Sequence, residues 1–136
     1  LVRRLIEKTE CQMAEEEKII NSEQLYYEAR EAYKKGMYPK AIAILENSTN
    51  CNPHYKAYEL MAICLKEVGR SYQAEEAIRK AYELNPKSSK TTVLFAEYLI
   101  EKGEIVTAKL LISSLLVRHS TYGPAKKLLE SLGGLQ

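Results

Sequence analysis

The sequence predicts an all-α fold built from repeated helical hairpins, and two observations support this fold class. The first is an internal repeat of 33 to 34 residues, and the second is a composition rich in helix-forming residues. All 18 acidic residues are Glu, and the chain contains neither Asp nor Trp. Because Asp favours caps and turns whereas Glu favours helix interiors, this choice indicates helix along most of the 136 residues.

Five positions define the repeat. They are a Gly, an Ala five residues later, a Leu or Ile, a small or aliphatic residue, and a closing Pro or Ser. These positions are filled by Gly36, Ala41, Leu45, Ser48 and Pro53; then by Gly69, Ala74, Ile78, Ala81 and Pro86; then by Gly103, Ala108, Ile112, Leu115 and Ser120. We expect each Gly to end a helix in the left-handed conformation and each Ala to let two antiparallel helices approach closely.

A second apolar pattern precedes each Gly and predicts the first helix of each hairpin. Its members are Tyr58, Met61, Ala62 and Leu65 in the second unit, and Thr92, Phe95, Ala96 and Leu99 in the third. In the first unit Glu28 stands where a large apolar residue is expected. The predicted helices are 22–35, 38–50, 54–68, 71–84, 88–102, 105–118 and 123–132, with 1–20 as a further amphipathic helix. Asn21 and Gln24 are predicted to cap the helix that begins at residue 22.

This pattern resembles the tetratricopeptide repeat (TPR), a helix-turn-helix unit of 34 residues. The matching residues are the small residue of the first helix (Ala29, Ala62, Ala96), the turn glycines, the second-helix alanines, Pro53 and Pro86. The resemblance implies a right-handed α-solenoid of about three repeats, 22–54, 55–88 and 89–121, with a C-terminal capping helix at 122–133. Residues 22–136 would form the TPR-like domain. Residues 1–21 would add an extra N-terminal helix, either a degenerate half-repeat or a connector.

The resemblance also implies a concave partner-binding surface, formed by the first helices of the repeats. The candidate residues are Tyr26, Arg30, Tyr33, Lys56, Ile63, Lys66, Lys90, Val93 and Glu97. Some family members grip the C-terminal carboxylate of chaperones, and those positions read Tyr26, Arg30, Leu60, Lys90 and Leu94 here. Since only Lys90 matches, a carboxylate clamp is not expected. A small excess of groove cations favours a mildly acidic protein segment.

Catalytic, metal and cofactor roles are not expected. His54 and His119 are predicted to be exposed turn residues, and Cys64 a small buried hydrophobe. The odd count of three cysteines favours a reducing cytoplasm over a disulfide framework. No apolar run reaches the ~20 residues of a membrane span. Because the chain opens at Leu1, we expect it to be part of a longer product.

The leading hypothesis is therefore a protein-interaction module that acts as scaffold or adaptor, resembling a co-chaperone or assembly factor. No small-molecule substrate is expected. The alternative is a self-associating structural subunit of a larger complex without an independent groove, motivated by the apolar residues of 1–20 and by Leu128, Leu129 and Leu132. A homo-oligomer is compatible with both. Nucleic-acid binding is disfavoured, because 20 basic residues nearly balance 18 acidic ones.

Overall fold

The computed structural model describes the backbone of residues 2–133 and the side chains of residues 15–133. Every regular element within this range is an α-helix. In chain order the helices are α1 (Val2–Lys34), α2 (Tyr38–Cys51), α3 (Tyr55–Glu67), α4 (Ser71–Leu84), α5 (Ser89–Glu101), α6 (Ile105–Arg118) and α7 (Gly123–Ser131). The predicted all-α helical-repeat fold is thus confirmed.

The helices group into two compact units, Leu1–Ala74 and Glu75–Gln136. In the first unit, α1 packs against α2 and α2 packs against α3, with a smaller contact between α1 and α3. In the second, α5 packs against α6, and α7 packs against both α6 and α5. Most of these packed pairs follow one another in sequence, as short connections between helices favour.

The core of each unit contains most of the apolar repeat positions that the sequence predicts, although Tyr58 is only half-buried. The second-helix residues Ala41, Leu45, Ser48, Ala74, Ile78, Ala81, Ala108, Ile112 and Leu115 are all at most 5% exposed. In the first helices, Met61, Ala62, Leu65, Thr92, Phe95, Ala96 and Leu99 are buried as well. Glu28, which departs from the apolar pattern of the first helices, is exposed and does not enter the core.

The turn glycines end their helices in a repeated left-handed cap. Gly36, Gly69 and Gly103 have φ of 74°, 82° and 89°. At the second of these turns, the Arg70 amide donates to the Leu65 carbonyl at 2.9 Å, and the Gly69 amide donates to the Lys66 carbonyl at 3.1 Å. This pair of bonds is the Schellman motif, which satisfies two carbonyls that the helix end leaves without partners.

Replacing Gly69 with Ala is expected to lower the free energy of unfolding by about 1–2 kcal/mol, because an L side chain is disfavoured at positive φ. A Cβ at this position would meet no heavy atom within 4 Å, so the effect is conformational and not steric. Gly123→Ala is the matched control, since Gly123 also has open space around it and its φ is not positive. Urea unfolding followed by circular dichroism measures both. Equal stability of the two variants would contradict the assignment.

The predicted break between residues 1–20 and the first repeat is wrong. Residues 2–20 are helical as expected, but α1 continues without interruption from Val2 to Lys34. Asn21 and Gln24 therefore lie inside a helix and cap nothing. The chain has no Gly or Pro before Gly36, so no residue forces the helix to end there. The boundary between residues 21 and 22 as a domain division stays a prediction.

Candidate partner-binding surface

Six of the nine candidate residues lie in the first unit, on α1 and α3. Tyr26, Arg30 and Tyr33 follow one face of α1 at helical spacing, and Lys56, Ile63 and Lys66 lie along α3. The three cations are exposed, whereas Tyr26, Tyr33 and Ile63 are half-buried. Each helix therefore carries apolar side chains that the fold leaves partly open, with basic side chains close by in sequence.

Aromatic contacts restrict the two tyrosines. The Arg30 guanidinium carbon lies 6.0 Å from the Tyr26 ring centroid, close enough for a cation–π interaction. The Tyr33 ring lies 5.8 Å from the Tyr38 ring on α2. Burial is the main cause that raises the pKa of Tyr26, so this phenol stays protonated at neutral pH and can donate a hydrogen bond. Both rings thus make contacts within the chain that restrict their movement.

A cleft of about 240 Å³ lies between α1, the turn after α2 and the start of α3. The predicted surface residues Tyr26 and Lys56 both line it, together with Glu23 and Ile19. Its floor includes two buried serines. The Ser48 hydroxyl donates to the Ser22 carbonyl at 2.9 Å, and the two Oγ atoms are 3.1 Å apart.

The sequence pattern does not predict this cleft, for two reasons. Ile19 forms part of its lining because it lies on α1, three residues before Ser22, whereas the predicted helix begins at residue 22. The Ser22 hydroxyl donates to the Asn52 carbonyl at 3.3 Å, and this partner is 30 residues away in sequence. The one local indication is that Ser48 stands at a core position of the repeat, which predicts its burial, and it is 0% exposed.

His54 lines this cleft and caps α3. Its Nδ1 accepts a hydrogen bond from the Lys56 amide at 3.2 Å. Burial lowers the pKa of His54, and the Lys56 charge lowers it further, so the imidazole is neutral at pH 7 as this acceptor role requires. The predicted exposure of both His54 and His119 is confirmed.

In the second unit, the remaining candidates lie on α5. Lys90 is exposed and Glu97 is half-buried, so both can reach a partner. Val93 is only 7% exposed and belongs mainly to the core of this unit. Among the groups predicted to be inert, Cys64 is fully buried, and burial raises the pKa of its thiol to about 11. A thiol with that pKa is a poor nucleophile at pH 7.

Two further results concern the part of the chain that the structure describes. Within it, no group of three or more His, Cys or Glu side chains is arranged to hold a metal ion. No helix in the same part combines the length and the apolar character needed to cross a membrane.

Comparison with known proteins gives matches in structure only. No protein-family model matches the sequence, and no curated protein matches it. Among solved structures, the Arabidopsis OM64 TPR domain is 21% identical, with a TM-score of 0.76 over 85% of this chain and 96% of that one. The second TPR domain of human RPAP3, solved with the HSP70 peptide SGPTIEEVD, is 16% identical, with a TM-score of 0.73 over 89% and 99%.

A bacterial secretion chaperone is also similar. SycD of Yersinia enterocolitica, solved with a peptide of the translocator YopD, is 20% identical, with a TM-score of 0.68 over 82% of this chain and 86% of that one. At these identities the likeness concerns the fold. Together with the repeat register, the turn glycines and the buried alanines, it shows that this chain has the fold of a tetratricopeptide-repeat domain.

Proposed function

We propose that the chain is a non-catalytic binding module that holds a segment of a partner protein against the first helices of its repeats. The observation that best supports this function is the partial exposure of Tyr26, Tyr33 and Ile63 on α1 and α3. Most apolar residues of α3, such as Leu65, are buried instead. Tyrosine and arginine anchor many interfaces, because they bury a large area and keep a polar end. The peptide complexes of the similar RPAP3 and SycD structures support the same role.

The partner segment is proposed to be mildly acidic with apolar anchors. On the first unit, Arg30, Lys56 and Lys66 are exposed at surface positions. Two acidic residues lie on the same helices as these cations. Glu23 on α1 is exposed, but Glu59 on α3 is only 7% exposed. The surface that a partner meets is therefore more positive than the numbers of basic and acidic residues on α1 and α3 suggest. Complementary charge on the partner would speed association and fix the orientation of the bound segment.

The proposed recognition differs from a carboxylate clamp. Tyr26 and Leu94 stand at two of the clamp positions, and Leu60, at a third, is buried at 7% exposure. An aliphatic side chain donates no hydrogen bond to a carboxylate. We therefore expect the peptide SGPTIEEVD, which is bound by human RPAP3, to bind this chain only weakly. Internal or extended segments with an apolar anchor would bind more tightly.

The test begins with selection of binders from a random-peptide display library on the intact chain. The recovered peptides are then titrated against Tyr33→Ala/Lys66→Glu, for which we expect at least a tenfold loss of affinity, about 1.4 kcal/mol. Fluorescence anisotropy of the labelled peptide is the measurement. The matched control is Tyr72→Ala/Lys40→Glu, which removes the same side-chain types from exposed positions on α4 and α2. This control is expected to bind as the parent does.

Two outcomes would contradict the proposal. One is a library selection that yields no peptide better than SGPTIEEVD. The other is equal affinity of the parent and Tyr33→Ala/Lys66→Glu for the recovered peptides. Circular dichroism of every variant must first show unchanged helicity, because Tyr33 also contacts Tyr38. A variant that has lost helix is replaced by Lys66→Glu alone, which removes no aromatic packing.

A further inference from the structure

The outer face of α6 carries an exposed aliphatic stripe. Val106, Leu110 and Val117 are 73%, 67% and 86% exposed. Their spacing places them on one side of the helix, opposite the side of the fully buried Ile112. Three large aliphatic side chains in one row on a single helix form a patch, unlike the isolated apolar residues that every protein surface shows.

The repeat fold does not require aliphatic residues along this face. Leu110 and Val117 have equivalents 34 and 67 residues earlier in the same register. All four equivalents are exposed, and they are small or polar: Glu76 and Glu83 on α4, Ala43 and Asn50 on α2. Val106 has the equivalents Tyr72, which is 77% exposed, and Pro39. Neither of the other two repeats therefore carries a row of aliphatic residues on this face.

The charged residues of α6 and α7 are mostly basic. Helix α6 contains Lys109 and Arg118 and no acidic residue, and α7 adds Lys126 and Lys127. Glu130 is the one acidic residue between residues 105 and 133. A helix that covers the stripe would match it best with an apolar row bordered by glutamates.

The chain itself contains such a helix at the start of α1. Residues 5–20 include five glutamates and two lysines, and Ile6, Met13 and Ile20 follow one another at seven-residue spacing. In sequence, seven-residue spacing of apolar residues is typical of a helix that packs against another helix. Ile20 is 53% exposed. The segment precedes the repeats, and its 16 residues span about 24 Å as helix, enough to cover the roughly 21 Å of α6.

We infer that the start of α1 from one copy of the chain packs along the outer face of α6 of a second copy. The two surfaces differ from each other, so the contact is head-to-tail and leaves one free surface at each end of a dimer. A single helix pair buries less than the ~1,600 Å² of a standard interface, and we expect association in the micromolar range. This interface is independent of the partner-binding surface proposed above.

Sedimentation velocity of the full chain over a wide concentration range is the test. The parent is expected to form dimers and larger species as concentration rises. Leu110→Glu blocks the α6 face, and Met13→Glu/Ile20→Glu blocks the α1 face, so each variant alone should stay monomeric. An equimolar mixture of the two should form a heterodimer, because one intact surface of each kind remains. Tyr72→Glu, at an exposed site on α4, is the control that should associate as the parent does.

The inference is overturned by a parent chain that stays monomeric throughout. It is also overturned by an equimolar mixture that stays monomeric while the parent associates. Association of either variant on its own overturns it as well, since that result means that like surfaces pair with each other. Helicity of each variant is compared by circular dichroism. Should Met13→Glu/Ile20→Glu lose helix, Ile20→Glu alone takes its place in the mixture, because Ile20 is already exposed.

Discussion

Replacing Leu99 with Ala is expected to lower the free energy of unfolding by about 3 kcal/mol. Leu99 lies on α5 and is 2% exposed, and it follows the buried Phe95 and Ala96 on the same side of the helix. Removal of its three terminal carbons loses transfer free energy and leaves a cavity that rigid neighbouring helices cannot fill. Because domains of this size are stable by only about 5–15 kcal/mol, this is a large part of the total.

The matched control for this prediction is Leu110→Ala. It makes the same chemical change in the same unit, but Leu110 is 67% exposed, so the change in unfolding free energy should stay within about 0.5 kcal/mol. Urea unfolding at a concentration low enough to keep the chain monomeric measures both variants. Similar losses in the two would show that the placement of Leu99 in the core is wrong.

The burial of Leu99 could be predicted because it depends on local rules. An apolar residue every three or four positions fixes the inner face of a helix, and a Gly in the left-handed conformation fixes where that helix ends. Both rules act within about ten residues, and the repeat supplies three independent copies of each. Thus Met61, Ala62 and Leu65 in the second repeat predict that their counterparts Phe95, Ala96 and Leu99 belong to the core in the third repeat.

Features that depend on the packing of distant segments could not be predicted in this way. Asn21 and Gln24 carry the sequence signal of a helix start, yet α1 continues through both. Ser22, between them, uses its hydroxyl to contact Asn52 and Ser48. A capping preference is worth only about 1 kcal/mol, which continuous helix and tertiary contacts readily outweigh. Likewise Val93 lies at a predicted surface position, but how much of it is covered depends on the helices around α5.

The polar cluster around Glu75 is a second feature that spacing could not reveal. Its carboxylate, on α4, accepts a hydrogen bond from the Tyr98 hydroxyl at 2.8 Å and another from Lys102 Nζ at 2.8 Å. Arg79 donates to the same carboxylate from Nη2 at 2.9 Å. Tyr98 and Lys102 are 23 and 27 residues from Glu75 in sequence. The cluster therefore links α4 to α5, beside the stacked rings of Tyr82 and Phe95, whose centroids are 5.2 Å apart.

This cluster is expected to make stability depend on pH at both extremes. The hydrogen bond from Lys102, with those from Tyr98 and Arg79, lowers the pKa of Glu75 from 4.5 to about 2. The contribution is thus fully present above pH 4.5 and is lost as pH falls toward 2. Burial and the bond to Glu75 raise the pKa of Tyr98 from 10 to about 12. Its contribution is fully present below pH 10 and is lost as pH rises toward 12, because the unfolded chain then releases the phenolic proton first.

Glu75→Gln is expected to lower the free energy of unfolding by about 2 kcal/mol at pH 7, since hydrogen bonds to a charged acceptor are stronger than those to an amide. The exposed ends of Arg79 and Lys102 keep their solvation, which limits the loss. Below pH 4.5 the difference between parent and variant should shrink, because the unfolded parent then binds a proton at Glu75 that the folded chain does not hold until the pH approaches 2. Glu76→Gln, at the exposed neighbouring position, is the matched control and should be nearly neutral. Urea unfolding of both chains from pH 7 to pH 3 measures this difference in the free energy of unfolding. A difference that does not become smaller in acid would mean that the carboxylate charge of Glu75 does not stabilise the contact between α4 and α5.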